Sequence, residues 1–122
     1  MERLFFGLGS VFAFLGVAAG AFGAHALRER IGVDRLDTFK TGAQYQLIHA
    51  LALLAVAFAT TRWPGGLTTA AGWLFVAGIV LFSFSLYALA ITDVKVLGAI
   101  TPLGGLCFLI GWVCLAVAAW RG

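Results

Sequence analysis

Four long apolar segments dominate this chain and restrict what it can fold into. The first covers residues 4–27, contains no Asp, Glu, Lys or Arg, and is long enough to cross a bilayer core of about 30 Å. Three more follow, at residues 42–61, 69–92 and 101–120. A helix satisfies its own backbone polar groups, as hydrocarbon requires. The sequence therefore predicts an all-α integral membrane protein, a four-transmembrane-helix bundle forming one domain over residues 1–122.

The composition supports a membrane protein and argues against a nucleic-acid-binding one. Hydrophobic residues make up 62% of the chain and charged residues 11%, whereas soluble domains average about 25% charged residues. The eight basic residues are scattered over loops and ends and form no patch, so no nucleic-acid partner is expected. Cys107 and Cys114 are seven residues apart on one helix, about 10 Å, which is too far for a disulfide.

The connection between the first two segments carries most of the charge. Residues 28–41 are expected to form a loop, in which Leu36 and Phe39 fit a short helix on the membrane surface. The purely apolar part of the second segment, residues 47–59, is too short to span alone. We therefore expect Tyr45, Gln46 and His49 to be drawn into the edge of the bilayer.

The basic residues also predict an orientation. An even number of spans puts both termini and the second loop on one side, with the first and third loops on the other. The side with the first and third loops holds five of the eight basic residues: Arg28, Arg30, Arg35, Lys40 and Lys95. Loops rich in Lys and Arg face the cytoplasm. This predicts a bacterial inner-membrane protein whose termini are periplasmic.

Small residues recur at helical spacing in the first and last segments. Gly16 and Gly20 form a GxxxG pair, and Gly104 and Gly111 belong to a second series. Such series let two helices approach closely, within one protomer or between protomers. They predict helix packing at these four glycines, and a homo-oligomer or a partner membrane protein.

The topology brings the notable polar residues to one end of the bundle. They are His25, Tyr45, Gln46, His49, Tyr87, Asp93 and Thr101. These groups either cap and connect helices, or line a pocket for a lipid headgroup or another small polar ligand. Their spacing matches no standard metal motif, and no nucleophile–base set is legible. We therefore expect no metal, no cofactor other than a bound lipid, and no catalytic residue.

His49 is the most informative member of this group. Its depth in the segment makes it costly to leave an imidazole without a partner. We expect it to face the bundle interior and to hydrogen-bond a group from another segment. The candidate partners are His25, Tyr87, Asp93 and Thr101.

Four motifs, in order along the chain, carry a resemblance to a known family. They are Gly20-Ala-Phe-Gly-Ala-His25, Tyr45-Gln-Leu-Ile-His49, Leu81-Phe-Ser-Phe-Ser-Leu-Tyr87 and Ile100-Thr-Pro-Leu-Gly-Gly105 followed by Gly111-Trp112. Together they resemble the YgdD-like family of small bacterial membrane proteins, a domain of unknown function. The resemblance implies four spans and an inner-membrane location. It implies no established activity, so no catalytic residue is carried over.

Three classes of function remain open on the sequence. The first is a structural or accessory membrane component that packs with copies of itself or with a larger complex. The second is a small transporter or ligand-binding protein that uses the polar residues. The third is a membrane enzyme with His25 or His49 as base. The first is preferred, because the small-residue series motivate it and no acidic residue lies within a span, as a proton-coupled exporter would need.

Overall fold

The computed structural model describes residues 1–122 and contains four long helices and no strand. Helix α1 is Glu2–Leu27, α2 is Val33–Arg62 and α3 is Gly66–Thr92. A 3₁₀ turn, Lys95–Ala99, leads into α4, which is Thr101–Arg121. Each of the four helical regions is long and apolar enough to cross a membrane. The predicted all-α, four-span architecture is confirmed.

Helix α2 is the most buried of the four: it packs along α1 and α3, whereas α4 packs mainly on α3 and meets α2 at only a few residues. The main core brings together one large apolar side chain from each helix, namely Phe5, Leu53, Phe75 and Phe108, each at most 4% exposed. Large exposed apolar side chains lie mainly on α1 and α4, as expected for helices that face lipid. Because lipid tails are as apolar as these side chains, close packing rather than exclusion of water holds the helices together.

The start of α2 differs from the sequence prediction. The helix begins at Val33, after Gly32 in extended conformation, so the expected loop over residues 28–41 and its separate surface helix are wrong. Leu36 and Phe39 are buried against α1 and α3 in a second apolar cluster. This burial extends the helix through a charged stretch, and Asp34 in the first turn suits the positive end of the helix dipole.

Two helices contain a stretch with the wider, π-type hydrogen-bonding pattern. These stretches are Ala18–Gly23 in α1 and Ile79–Phe84 in α3. A π-type turn holds more residues than an α-turn, so the residues after it are rotated relative to those before it. In α1 the stretch begins just after Gly16, which is buried, and contains Gly20, which is exposed.

Three of the four glycines singled out from the sequence lie at contacts between helices of the same chain. A β-carbon added at Gly16 would lie 2.9 Å from the Leu47 side chain. One at Gly111 would lie 2.7 Å from the Phe75 ring, and one at Gly104 would collide with the backbone of Phe82. At Gly20 the nearest atom would be the Ala43 β-carbon, at an ordinary contact distance of 3.6 Å.

Candidate functional site

Gln46 connects three helices from the middle of α2. It is fully buried. Its Nε2 donates to the carbonyl of Phe12 in α1 at 2.9 Å, and its Oε1 accepts from the Tyr87 hydroxyl of α3 at 2.6 Å. A helical carbonyl keeps a second lone pair, so Phe12 can accept this bond without giving up its helical one. Gln46 therefore joins α1, α2 and α3 through side-chain hydrogen bonds.

His49 lies one turn further along α2 and connects it to α4. It is 3% exposed. Its Nδ1 lies 2.8 Å from the Tyr45 carbonyl, and its Nε2 lies 3.0 Å from Nε1 of Trp112. An indole N–H can only donate and a carbonyl can only accept, so the imidazole is neutral and carries its proton on Nδ1. Both ring nitrogens are thus occupied within the protein.

The expectation for His49 is confirmed in one respect and wrong in another. The side chain faces the interior and bonds another helix, as predicted. The partner is Trp112, however, and none of the four predicted candidates. Phe108, one turn before Trp112, stacks on the imidazole with ring centroids 3.5 Å apart and planes within 7°. His49 therefore docks against one face of α4 by a hydrogen bond and by stacking.

A groove opens on the outer surface beside His49. It has a volume of about 500 Å³ and lies between α2 and α4, with Phe82 of α3 in its wall. Tyr45 and Trp112 line it and are 39% and 42% exposed. The Tyr45 ring packs on Phe82 with centroids 4.9 Å apart. The groove is therefore mainly aromatic and apolar and faces the surrounding bilayer.

Thr101 belongs to a separate contact between α3 and α4. Its hydroxyl lies 2.7 Å from that of Ser85, and either can be the donor. Close by in α3, the Ser83 hydroxyl is fully buried and has no hydrogen-bond partner.

Asp93 and His25 lie apart from the other predicted site residues. Asp93 ends α3 in the left-handed conformation (φ 57°) and pairs with Lys95 at 2.7 Å. The Lys95 ammonium, with a smaller contribution from Arg35, holds the pKa of Asp93 below its usual value. His25 is exposed at the end of α1. The structure thus brings Gln46 together with Tyr87 and keeps His25, Asp93 and Thr101 elsewhere.

Comparisons with known proteins agree with the family resemblance of the four sequence motifs. A family model described as a protein of unknown function (DUF423) matches residues 19–105, which include Gln46, His49 and Tyr87. The chain belongs to this family. No solved structure matches it.

Named relatives of this DUF423 protein are bacterial membrane proteins. The UPF0382 membrane protein YwdK of Bacillus subtilis is 51% identical over 96% of both chains. The UPF0382 membrane protein SAB0533 of Staphylococcus aureus is 43% identical over 98% of this chain and 97% of its own. These names state a membrane location and no activity. The family recognised from the sequence is therefore confirmed, and with it a multi-pass membrane protein.

Two contributors to the DUF423 bundle escaped the sequence analysis. Trp112 supplies the donor to His49, and its signal was available: unlike the other three tryptophans it lies in mid-segment, where an indole N–H needs an acceptor. The charge pattern places Arg35 in a loop and predicts no contact for it. Its Nε and Nη2 donate to the carbonyls of Ala90 and Ile91, each at 2.8 Å, and so close the end of α3.

Proposed function

We propose that this protein is a non-enzymatic membrane component that packs laterally, through the outer face of α1, against a second copy of itself. The observation that carries this proposal is Gly7. A β-carbon there would meet no atom of the chain within 4 Å, whereas glycines such as Gly9 and Gly16 are in close contact with α2. Glycine inside a helix costs about 1 kcal/mol relative to alanine. Close approach of a partner helix would account for a glycine at this position.

The interior of the bundle supports a structural role. His49 is the one buried side chain that could act as a base, and both of its ring nitrogens are paired with protein groups; the buried amide of Gln46 is paired at both ends as well. Their hydrogen bonds hold helices together and leave no free base inside. The outer face of α1 around Gly7 is exposed and mainly apolar, with Val11 and Phe14 one and two turns on; the hydroxyl of Ser10 on this face donates to the Phe6 carbonyl of the same helix.

The test compares two glycine-to-leucine variants of the same helix. Gly7→Leu should shift the purified protein from oligomer to monomer in native mass spectra from mild detergent, with its melting temperature in the monomeric state unchanged. Gly16→Leu, which clashes with Leu47 of the same chain, should lower the melting temperature instead. A parent protein that is monomeric both in mild detergent and after cross-linking in membranes would refute the proposal.

The groove beside His49 favours a second candidate, the binding of a small apolar or amphiphilic ligand from the bilayer. Its aromatic wall suits hydrocarbon, and the hydroxyl of Tyr45 makes no hydrogen bond within the chain. Gly105→Phe, which fills the groove, should remove a co-purifying ligand seen by mass spectrometry, and Tyr45→Phe should weaken it. Co-purification unchanged in Gly105→Phe would reject this candidate.

We also propose the bacterial inner membrane as location, with both termini outside the cytoplasm. The support is the excess of basic residues on one side of the bundle, where five of the eight lie: three in the first and third connections, and Arg35 and Lys40 in the first turns of α2. Arg28 and Arg30 lie between α1 and α2, and Lys95 lies just before α4. This orientation places the N-terminal end of α2 in the cytoplasm.

A further inference from the structure

A small cleft opens where α1 ends and α2 begins. Its volume is about 180 Å³. We call its apolar lining the floor (Gly20, Ala21, Ala24 and Leu36) and its basic lining the rim (His25, Arg28 and Lys40). The cleft therefore combines an apolar floor with three basic side chains, and it lies apart from both the α1 face at Gly7 and the groove at His49.

Helical geometry explains why these residues meet. Ala21, His25 and Arg28 are spaced by four and three residues, so they lie along one face of α1. Leu36 and Lys40 are four apart and lie along one face of α2. The two faces meet at the cleft, with Arg28 just beyond the end of α1 and Lys40 about 10 Å into α2.

The basic groups at the cleft are not neutralised within the chain. The one salt bridge in the structure joins Lys95 to Asp93. Glu29 follows Arg28 directly and Asp37 lies one turn before Lys40, yet neither acid forms a salt bridge with them. Arg28 and Lys40 are both exposed, so their charges are available to a ligand at the cleft.

We propose that this cleft binds the phosphate of an anionic phospholipid, with Arg28 and Lys40 as its cationic contacts. Arginine and lysine both bind phosphate, arginine through paired N–H groups and lysine as a point charge. Lysine and arginine near a helix end also extend their charged groups toward the headgroup level. Basic pockets between helices on the cytoplasmic side are typical headgroup sites.

The floor of the cleft identifies a lipid rather than free phosphate as the ligand. Gly20 and Ala21 are exposed and have little or no side chain. A lipid chain can therefore lie directly against α1 below the bound phosphate, in the hydrocarbon region. A soluble anion would use the rim alone and gain nothing from this surface.

The experiment measures lipid selectivity by native mass spectrometry of the intact protein. Protein reconstituted in vesicles of equal phosphatidylglycerol and phosphatidylcholine should retain the anionic lipid preferentially. Each basic residue near an anionic surface contributes about a fivefold gain, so Arg28→Gln with Lys40→Gln should reduce the preference about twenty-five-fold. Arg3→Gln with Arg30→Gln, which removes two exposed charges that do not line this cleft, is the matched control and should leave the retained lipid unchanged.

Two further measurements separate the alternatives. Ala21→Phe retains every charge but obstructs the floor, and it should also lower phosphatidylglycerol retention. Inorganic phosphate at millimolar concentration should not displace the lipid.

Unchanged preference in the Arg28/Lys40 double variant, whose fold is checked by its melting curve, would overturn the proposal. Displacement by phosphate together with normal retention in Ala21→Phe would overturn it too, because the rim alone would then bind a free anion. If the double variant fails to fold, Arg28→Lys and Lys40→Gln are measured singly.

Discussion

At the scale of single residues, the DUF423 bundle satisfies its interior polar groups by bonds that cross between helices. Gln46 uses both ends of its amide, toward Phe12 and Tyr87. His49 uses both ring nitrogens, and its tautomer follows from the chemistry of the two partners. An unpaired polar group surrounded by hydrocarbon costs several kcal/mol, so these bonds restrict how the four helices can be arranged.

The pair formed by His49 and Trp112 can be tested by a double-mutant cycle. His49→Leu and Trp112→Phe each remove one partner, and the double variant removes both. Interhelical hydrogen bonds in membranes average about 0.6 kcal/mol and reach about 1.7 kcal/mol, and we expect a coupling energy in this range. The measurement is reversible unfolding in mixed detergent. Strict additivity of the two single effects would mean that the bond contributes nothing to stability.

Which of these residue contacts could be predicted depends on how local they are. The sequence indicates that His49 needs a partner, because its position in the apolar segment is a local property. It also indicates that Trp112 needs an acceptor, but it cannot pair the two residues, because that contact depends on how α4 is rotated about its axis. Gln46 and Tyr87 both belonged to the predicted polar group, but the mid-helix carbonyl of Phe12 has no sequence signature at all.

At the scale of elements, α2 begins at Val33, earlier in the chain than its charge pattern indicates. The sequence rule treats residues 28–41 as a loop because charges are concentrated there, yet Leu36 and Phe39 find apolar partners on both sides. Because this part of α2 is helical, the Arg35 guanidinium can donate hydrogen bonds to the carbonyls at the C-terminal end of α3. The four spans were predictable from length and composition, whereas this start depends on tertiary packing.

Removing the Arg35 guanidinium should weaken the joint between α2 and α3. Each hydrogen bond from a charged group contributes about 1.5–3 kcal/mol, and since Arg35 is partly exposed we expect Arg35→Gln to cost about 1–2 kcal/mol in total. Arg30→Gln, an exposed loop change, is the control. Melting temperature and amide exchange at the end of α3 are the readouts. Equal melting of the two variants would exclude a stabilising role for the contact.

The two glycines of the first small-residue pair should respond differently to enlargement. Gly16→Leu overfills the contact with Leu47 and should cost about 1–3 kcal/mol. Gly20→Leu adds its side chain on an exposed face, near only Ala43, and should cost clearly less. Thermal unfolding in detergent measures both. A larger loss at Gly20 than at Gly16 would contradict the packing of α1 on α2 described above.

At the scale of the whole molecule, the even number of helices determines which loops and charged residues share a side of the bundle. Both termini lie on one side, together with the turn at Gly65, whose φ of 141° suits glycine. The basic cleft and the pair of Lys95 with Asp93 belong to the opposite side. The proposed lipid site therefore depends on positive charges that also support the proposed orientation.

Orientation is measurable with single cysteines in a variant lacking Cys107 and Cys114. A cysteine at Gly32 should resist an impermeant thiol reagent added to intact cells, because we expect that connection to be cytoplasmic. A cysteine appended after Gly122 should react. Labelling after membrane disruption confirms that both cysteines are accessible. The reverse pattern in intact cells would invert the proposed topology.

The π-type stretch in α1 connects two halves of this helix that have different contacts. Residues before Ala18 present Gly16 to α2, and residues after Gly23 bring His25 and Arg28 to the cleft. Removing one residue, for example Ala19, would let the wide turn relax to an ordinary turn, and the two halves would keep their relative direction, because the π-type turn already holds an extra residue. Inserting an alanine there would instead rotate one half by about 100° relative to the other. One half could then keep its contact with α2 only if the other turned its basic groups away from Lys40.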